Sequence, residues 1–387
     1  MATINLCIGT MKTGTTAIQS FLRNNPKALE KQGFCYPLMD VSAMSYAKNR
    51  NGHFLIFGTV HPNTPKTETQ VAQIQQFCYQ KLEELAQNYP NIILSDELIW
   101  HHSKKQEHFW EDLIDKLEKI HCQLKVIVYL RRQDLLIQSL WKQGVKSGAQ
   151  VSCTFDNYIQ KKQYRYFPLD YYAHLKKIEE AIGKENLLVR VYENGQFEGE
   201  SHTLISDFMH TLNLSMTDDF VQESDRRNPS LNGNFIEIKR IMNGLPKYRK
   251  MHNFMIKPLL AASISQENHT QEAKTSLFSY EEQTAFLKEY EKSNQKVAME
   301  FLDRPDGILF REPVKPLPVY RISPEAMCRD LIIFAIEALW QQQKKIKALE
   351  NQINTQKKIL KGITSSFAYR SYQKLKDTFR EKKGAGI

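Results

Sequence analysis

The first two dozen residues constrain the fold more than any other stretch, because they predict a buried strand, a glycine-bounded loop and a helix in direct succession. Residues 4–8 read Ile-Asn-Leu-Cys-Ile, a short apolar run that predicts a buried strand. A loop bounded by Gly9 and Gly14 follows, and residues 15–22 then carry apolar side chains at helical spacing. A loop in this place directs free backbone N–H groups at an anion. The stretch therefore predicts an anion-binding site at the carboxyl end of the first strand.

The loop differs from a Walker A sequence at one informative position. In G-x-x-x-x-G-K-[ST] the lysine comes directly after the second glycine. Here Thr15 stands in that place, and the only lysine of the loop, Lys12, lies inside it. The sequence therefore argues against a standard Mg-NTP site.

Lys12-Thr13-Gly14-Thr15-Thr16 resembles the K-x-G-T-T loop with which sulfotransferases bind the 5′-phosphosulfate of 3′-phosphoadenosine 5′-phosphosulfate (PAPS). The resemblance implies that the N–H groups of residues 14–16 hold the 5′-phosphate. It also implies that Lys12 places positive charge on the bridging oxygen of the leaving phosphate. The alternative is a Gly/Thr-rich turn that only caps a helix, for which Thr15 or Thr16 suffices and Lys12 has no role.

A second stretch carries the same resemblance. Residues 126–131 end a predicted central strand at Arg131, and Ser139 follows eight residues later. In PAPS-dependent sulfotransferases an arginine and a serine in these places hold the nucleotide 3′-phosphate, to which a guanidinium offers charge-assisted donors. Arg132 is the neighbour that would substitute, because Arg132-Gln133 replaces the family's usual Asn-Pro. An arginine pair facing solvent is the alternative. The two matches span residues 3–150.

A carboxylate is predicted as the base that accepts the proton of the acceptor hydroxyl. Glycan-modifying members of the resembled family use a glutamate after the second strand, and Glu97 stands in a comparable place. A carboxylate beside Lys12 is expected to remain ionised. The rivals for the role are Asp96, His53, His101 and His102. The alternative for Glu97 is a helix-start carboxylate favoured by the helix dipole.

The remaining pattern predicts the fold class. Apolar strands at 91–95, 125–130 and 187–192 alternate with helices, which implies a parallel sheet covered on both faces. Helices are predicted at 70–88, 105–120, 133–146, 170–182, 200–212 and 230–243, and a long one from the capping box Ser279-x-x-Glu282. We expect an α/β fold: a three-layer, P-loop-NTPase-like domain with a central parallel sheet over residues 1–318, and a C-terminal helical tail over 319–387.

Three further segments bear on the acceptor, which the sequence does not identify. Residues 40–66 read as a long loop in which His53 is expected at the surface. Residues 161–167 mix aromatic and basic side chains, either as a groove for a sugar or as a rim of the core. Residues 228–231 bear a loose resemblance to bacterial carbohydrate sulfotransferases.

The C-terminal tail carries a heptad pattern. Apolar residues recur every seven residues from 332 to 367, with Gln342 and Gln356 weakening the second apolar position. This predicts a coiled coil in which 325–367 pairs with a second copy or a biosynthetic partner; a single amphipathic helix packed back on the domain is the alternative. Aromatic and basic residues alternate over 367–387, which predicts contact with an anionic membrane surface, with a solvated or protein-bound face as the alternative.

Composition limits the other classes of function. Residues 325–387 hold thirteen Lys/Arg against six Asp/Glu and so contribute +7 of the net charge of +10. No nucleic-acid-binding face is therefore predicted on the main domain. Six scattered cysteines indicate a reduced, cytoplasmic protein, and no ligand spacing indicates a metal site. Neither a signal peptide nor a membrane span is expected, because Met1 leads almost directly into the first strand and no apolar stretch approaches about 18 residues.

Together these features predict a PAPS-dependent sulfotransferase, without a metal, that acts on a hydroxyl of a carbohydrate or glycolipid acceptor. The acceptor would be a surface glycan or its lipid-linked precursor, and the enzyme would lie in the cytoplasm or at the inner face of the membrane. A nucleotide-dependent kinase fits less well because the Walker lysine is missing. The non-enzymatic alternative is a nucleotide- or glycan-binding scaffold that acts through its coiled coil.

Overall fold

A computed structural model gives the fold of residues 1–39, 49–57, 67–221, 231, 233–246, 250–269 and 275–384. Most of the predicted loop 40–66 and residues 228–230 lie outside these described residues. The chain forms two compact units, one of Met1–Asn228 with Ala273–Arg321 and the other of Pro229–Glu272 with Ile322–Ile387. Residues 229–272, which the sequence placed in the main domain, thus group with the C-terminal helices, while the domain ranges themselves stay a prediction.

The first unit is built on a five-stranded parallel sheet in the order β2-β3-β1-β4-β5. The strands are β1 Ala2–Cys7, β2 Phe34–Cys35, β3 Asn91–Ser95, β4 Cys122–Leu130 and β5 Leu187–Val191. In the centre, Leu6 of β1 lies in register with Leu94 of β3 and Val126 of β4. The predicted α/β fold with a central parallel sheet is confirmed, and the two-residue edge strand β2 is an addition to it.

Helices follow each of the strands. The described α-helices are α1 Thr15–Asn24, α2 Pro26–Lys31, α3 Glu68–Ala86, α4 Leu98–His102, α5 Phe109–Glu118, α6 Gln133–Lys146, α7 Phe155–Gln160, α8 Tyr171–Ile182, α9 Leu204–Thr211, α10 Gly233–Asn243, α11 His252–His269, α12 Tyr280–Lys288, α13 Glu291–Phe301, α14 Pro324–Ser365 and α15 Phe367–Gly384. A 3₁₀ turn spans His53–Ile56. Helices α10, α11, α14 and α15 belong to the second unit.

Successive side chains of each strand point to opposite faces of the sheet, and both faces are buried. On one face Cys7, Ile127 and Tyr129 pack in a single apolar cluster with residues of α1, α2 and α9. The intervening residues Val126 and Val128 point to the opposite face, where α5 and α8 contact β4. Near-continuous apolar strands are what a sheet covered on both sides requires.

Two helices differ from the predicted ones. The helix predicted at 105–120 is observed as the shorter α5, preceded by the separate turn α4. The capping box at Ser279 is present as predicted, since Ser279 and Glu282 exchange backbone-to-side-chain hydrogen bonds of 2.8 and 3.1 Å. The helix that it opens is divided into α12 and α13 at Tyr290, whose ring packs on Phe286 at 5.4 Å.

The second unit is helical in its described part. The first turns of α14 pack on α10 and α11, with the ring of Phe334 buried and Asn234 donating a 2.8 Å hydrogen bond to the carboxylate of Asp330. No helix in the described part of the chain has the length and apolar character needed to span a membrane.

Candidate active site

The order of the strands creates a crevice at the carboxyl end of β1. From β1 the chain continues toward β2 and β3 on one side, whereas from β4 it continues outward to β5 on the other. Connections that leave neighbouring strands in opposite directions open a crevice, and ligands of open α/β sheets bind there. The loop 8–14 follows β1 and Arg131 follows β4, so both flank this crevice.

The loop after β1 forms a tight curve of backbone N–H groups. Lys12 and Gly14 have left-handed backbone conformations, with φ of 68° and 74°. The N–H groups of residues 11–14 have no backbone acceptor among the described residues. Those of Thr15 and Thr16 lie in the first turn of α1, where a helix supplies no acceptor. Consecutive unpaired N–H groups at a helix start form an anion site.

The threonines of the motif have different surroundings. Thr13 is buried, and its hydroxyl donates a 2.6 Å hydrogen bond to the carbonyl of Thr10, so it braces the loop from inside. Thr15 is buried as well, whereas Thr16 is exposed at the mouth of the loop. Of the three threonines in the predicted donor-binding loop, Thr13, Thr15 and Thr16, only Thr16 has an exposed side chain. Thr15 can contribute its N–H group.

Arg131 connects the two predicted halves of the site. Its Nη1 donates a 2.5 Å hydrogen bond to the backbone carbonyl of Lys12, and its guanidinium lies 5.5 Å from the ring centre of Tyr192. Its own carbonyl accepts a 2.5 Å hydrogen bond from the hydroxyl of Tyr171, which fixes the end of β4. The Nε of Arg131 is buried and has no hydrogen-bond partner among the described residues. A buried donor of this kind fits an anionic ligand.

Arg132, the proposed substitute for Arg131, is fully engaged elsewhere. Its guanidinium forms two hydrogen bonds of 2.8 and 3.1 Å with the carboxylate of Asp134 and a third of 2.7 Å with the carbonyl of Glu312. Breaking a buried pair of this kind would leave an uncompensated charge. The structure therefore favours Arg131 as the arginine available to a ligand.

Two further lysines join the cationic group. Ser139, Lys142 and Lys146 lie on one face of α6, at spacings of three and four residues, and all are half-buried. Burial, and after it the positive charges of Arg131 and Lys146, lower the pKa of Lys12. Burial and the charge of Arg131 likewise lower the pKa of Lys142. The four cations thus oppose one another, which a bound polyanion would relieve.

The sequence analysis did not identify Lys142 and Lys146. The pattern Ser-x-x-Lys-x-x-x-Lys on a predicted helix would have placed them on the face of Ser139. What the sequence does not reveal is that this face turns toward Arg131.

Glu97 lies beside the loop, held from α1. The Nε2 of Gln19 donates hydrogen bonds of 3.3 Å to the carboxylate of Glu97 and 3.1 Å to the hydroxyl of Ser95. Burial, and after it the charge of Asp96, raise the pKa of Glu97, whereas Arg50 and the hydrogen bond from Gln19 act in the opposite direction. The sequence predicts that this carboxylate remains ionised beside Lys12. Burial acts against that state, because it favours the neutral form of the side chain. A carboxylate with a raised pKa is a better proton acceptor.

His53 is buried, so its predicted surface position is wrong. Its side chain is 1% exposed, and its Nδ1 lies 2.6 Å from the carboxylate of Asp96. The same carboxylate accepts a 2.8 Å hydrogen bond from the N–H of Leu98 and lies 3.4 Å from Arg50. The segment 49–57 therefore packs inward on the end of β3, and these contacts occupy both oxygens of Asp96. This makes Asp96 a poor rival to Glu97 as the base.

The other two histidines lie among aromatic rings. His101 packs on Tyr166 and Phe167, with ring centres at 5.3 and 5.4 Å, and His102 packs on Phe109 at 5.7 Å. Burial lowers the pKa of His101 to about 4, so this ring is neutral at physiological pH and weakly basic. The contact also places part of the segment 161–167 next to α4, directly after Glu97. Within that segment Tyr166 is exposed, whereas the neighbouring Tyr164 is buried.

Comparisons with known proteins add the following. No protein-family model matches the chain. An uncharacterized protein of Archaeoglobus fulgidus is 28% identical over 224 residues, which cover 56% of this chain and 56% of that protein. The chain thus spans little more than half the length of this relative. The fold is similar to the crystal structure of a sulfotransferase from Alicyclobacillus acidocaldarius, with a TM-score of 0.38 and 12% identity, over 67% of this chain and 96% of that one.

The site has three chemical parts. The N–H groups of the loop and Lys12 form one cationic end, and Arg131 with the lysines of α6 forms the other. A single hydrogen bond between Arg131 and the carbonyl of Lys12 brings these ends together. Glu97 supplies a carboxylate at the edge of this cationic group, as its effect on the pKa of Lys12 shows. The described site thus places two groups suited to anions and one carboxylate at the same end of the sheet.

Proposed function

We propose that this protein transfers a sulfuryl group from PAPS to a hydroxyl of a carbohydrate acceptor. The observation that carries the proposal is the contact between Arg131 and the carbonyl of Lys12. It joins the two groups that the sequence resemblance assigns to opposite ends of one nucleotide. A ligand with an anion at each end, such as a 3′-phosphorylated, 5′-sulfated nucleotide, would engage both groups, whereas a standard triphosphate site needs a lysine directly after Gly14, where Thr15 stands.

The residues present fit such a donor. The N–H groups of residues 14–16 suit the 5′-phosphate, since they start α1 and have no acceptor within the helix. The unpaired Nε of Arg131 suits the 3′-phosphate. Lys142, which shares a helix face with Ser139, adds charge there.

In the proposed reaction Glu97 accepts the proton of the acceptor hydroxyl. The acceptor oxygen bonds to sulfur while the bond from sulfur to the bridging oxygen of the 5′-phosphate breaks, so 3′,5′-adenosine bisphosphate leaves. Lys12 offsets the negative charge that develops on that bridging oxygen. The loop holds the donor in line with the acceptor, which lowers the entropic cost of the displacement.

The acceptor side is proposed to lie along α4 and the segment 161–167. Tyr166 is exposed and packs on His101, which is four residues after Glu97. An exposed aromatic ring beside the base offers an apolar face to a sugar ring. We propose a surface glycan or its lipid-linked precursor as the acceptor, with the enzyme acting on the cytoplasmic side and 367–387 contacting anionic lipid.

Turnover of PAPS tests the proposal. Release of 3′,5′-adenosine bisphosphate would be followed by chromatography with a panel of oligosaccharides, and the sugar products by mass spectrometry. We expect at least one oligosaccharide to stimulate release and to gain a sulfate. Glu97→Gln should lower kcat by roughly 10²- to 10⁴-fold, the usual range for a general base. The matched control Glu111→Gln, at an exposed position of α5, should leave kcat unchanged.

Three results would contradict the proposal. The first is stability of PAPS with every oligosaccharide. The second is equal turnover by wild type and Glu97→Gln. The third is transfer of phosphate from ATP in place of sulfate from PAPS, which would favour a kinase. Tight binding of the bisphosphate without any turnover would favour the non-enzymatic scaffold.

A further inference from the structure

The long helix α14 carries an apolar stripe that its own unit leaves uncovered. Within the unit the buried side chains of α14 are those of Asp330 and Phe334. The heptad residues Leu339 and Leu360 are 66% and 61% exposed. From 342 to 365 every side chain of the helix is exposed. The packing on α10 and α11 therefore uses another face, near the start of the helix.

The exposed stretch of α14 is long. Residues 342–365 extend over about 36 Å at 1.5 Å per residue. Most helical stability in proteins comes from packing of an apolar face, and the described residues of this unit leave every side chain of that stretch exposed. The stripe repeats every seven residues and is narrow, which is the pattern of a coiled-coil seam rather than of a helix lying on a globular core.

We propose that α14 pairs with α14 of a second copy of this chain in a parallel, in-register two-stranded coiled coil. Isoleucine occupies three of the five first heptad positions from 332 to 360, and in the central heptad Ile346 is combined with Leu349 at the second position. The other second positions hold Ala335, Gln342, Gln356 and Ile363. β-branched residues at the first position with leucine at the second favour two parallel strands.

The polar residues of the seam favour an identical partner. Gln342 and Gln356 occupy the second heptad position. In a parallel, in-register pair each glutamine meets its own counterpart, and because an amide is both donor and acceptor, the two can hydrogen-bond to each other. A partner with apolar residues there would leave these amides unsatisfied, so the glutamines select both the partner and the register.

The charges that flank the seam are also complementary. In a parallel pair, the residue that directly precedes a first heptad position faces the residue of the partner helix whose number is five higher. Lys345 then faces Glu350 of the second copy, twice by symmetry. The other flanking pairs, Ala338 with Gln343, Gln352 with Lys357 and Ile359 with Thr364, bring no like charges together.

Sedimentation equilibrium of the full chain tests the pairing. We expect a mass twice that of the 45.2 kDa chain at micromolar concentration. The double variant Ile346→Lys with Ile353→Lys should be monomeric with an unchanged thermal midpoint for the first unit. The matched control Ala348→Lys with Thr355→Lys adds the same charge at the same spacing outside the seam, and should remain dimeric.

An engineered disulfide and a charge reversal test whether the two α14 helices are parallel and in register. In a Cys328→Ser background, Leu349→Cys should form an intermolecular disulfide under mild oxidation and Ala348→Cys should not. Lys345→Glu should weaken the dimer, and adding Glu350→Lys should restore it.

Four outcomes would overturn the proposal. They are a monomeric wild type, a dimer that the two lysines in the seam do not dissociate, absence of the Leu349→Cys disulfide, and a monomer that binds phosphatidylserine vesicles through the seam. The last would show that a lipid surface covers the stripe.

Discussion

At the scale of single residues, the surroundings of Glu97 affect both its proton affinity and the stability of the fold. The carboxylate is largely buried beside Asp96, and both burial and that neighbour raise its pKa. The folded state therefore binds this proton more tightly than the unfolded state does. Stability contributed by the group is fully present below the pKa of the unfolded chain and is lost as pH rises through the raised pKa of the folded state. At neutral pH the ionised side chain consequently destabilises the fold.

The variant Glu97→Gln should be more stable than wild type at pH 7. The neutral amide avoids the cost of burying a charge and can still accept the hydrogen bond from Gln19. The difference in the free energy of unfolding should shrink as pH falls toward 4, because wild-type Glu97 is then protonated. Urea titrations from pH 4 to 8 measure this. A variant less stable than wild type at pH 7 would contradict the assigned environment.

The hydrogen bond from Gln19 should set the acidic limb of the pH–rate profile. That bond favours the ionised carboxylate, so removing it in Gln19→Met should raise the pKa of Glu97 further. Because the base must be deprotonated to act, the acidic limb of kcat should move to higher pH. Ser95→Ala removes the other hydrogen bond of Gln19 and serves as the control. An acidic limb that moves equally in both variants, or toward lower pH, would exclude Glu97 as the titrating base.

The sequence identifies residues that occupy a fixed place relative to a predicted strand. It does not identify residues whose role depends on which part of the folded protein their side chains face. Lys12 and Arg131 can be proposed from sequence because each occupies a fixed place after a predicted strand, and the structure brings the two into contact. His53 was placed at the surface because nothing near it in sequence shows that Asp96, 43 residues away, would bind its ring. Lys142 and Lys146 were missed because a helical pattern gives a face but not what that face meets.

At the scale of elements, the site depends on the left-handed turn that links β1 to α1. Gly14 has φ of 74°, and a Cβ there would lie 2.3 Å from a methyl of Leu204 and 3.3 Å from the ring of Tyr192. A left-handed conformation costs a non-glycine residue about 1–2 kcal/mol. The N–H groups of the loop are therefore held in their curve only with glycine at this position.

Gly14→Ala should weaken binding of 3′,5′-adenosine bisphosphate by about 10-fold or more, in line with that conformational cost. The matched control is Gly148→Ala, since a Cβ there meets nothing within 4 Å. Isothermal calorimetry on both variants provides the comparison. Equal affinity of Gly14→Ala and wild type would show that the loop does not bind the ligand through its backbone.

The face of α6 that carries Lys142 and Lys146 should contribute to affinity through charge. Each change to alanine should weaken bisphosphate binding by roughly two- to five-fold at low salt, as expected for half-exposed ion pairs. The loss should diminish as ionic strength rises. Lys119→Ala, at an exposed position after α5, is the control. If the α6 variants and the control behave alike, the lysines of α6 lie outside the binding site.

The strands were predictable and the helix breaks were not. Apolar runs such as 91–95 leave little choice in a sheet buried on both faces, and β3 spans the predicted residues. The division between α12 and α13 falls at Tyr290, which precedes the first residue of α13, and the apolar periodicity does not mark this position. The edge strand β2 has only two residues and exists because it pairs with β3.

At the scale of the whole molecule, charge is distributed unevenly along the chain. Residues 1–324 carry +3 of the net +10, yet within the first unit four cations gather around one crevice. Burial, and after it the charges of Arg131 and Lys146, lower the pKa of Lys12, and an anionic ligand would offset both effects. A cleft lined by one sign of charge also concentrates ligands of the opposite sign.

The central claim is that Lys12 and Arg131 hold opposite ends of one sulfated nucleotide. Isothermal calorimetry with 3′,5′-adenosine bisphosphate and with ATP, on wild type, Lys12→Ala and Arg131→Ala, tests it most directly. We predict a clear preference of wild type for the bisphosphate and a loss of roughly 30-fold or more in each variant, as for a truncated buried charge pair. Equal affinity for ATP, or unchanged binding in either variant, would contradict the account.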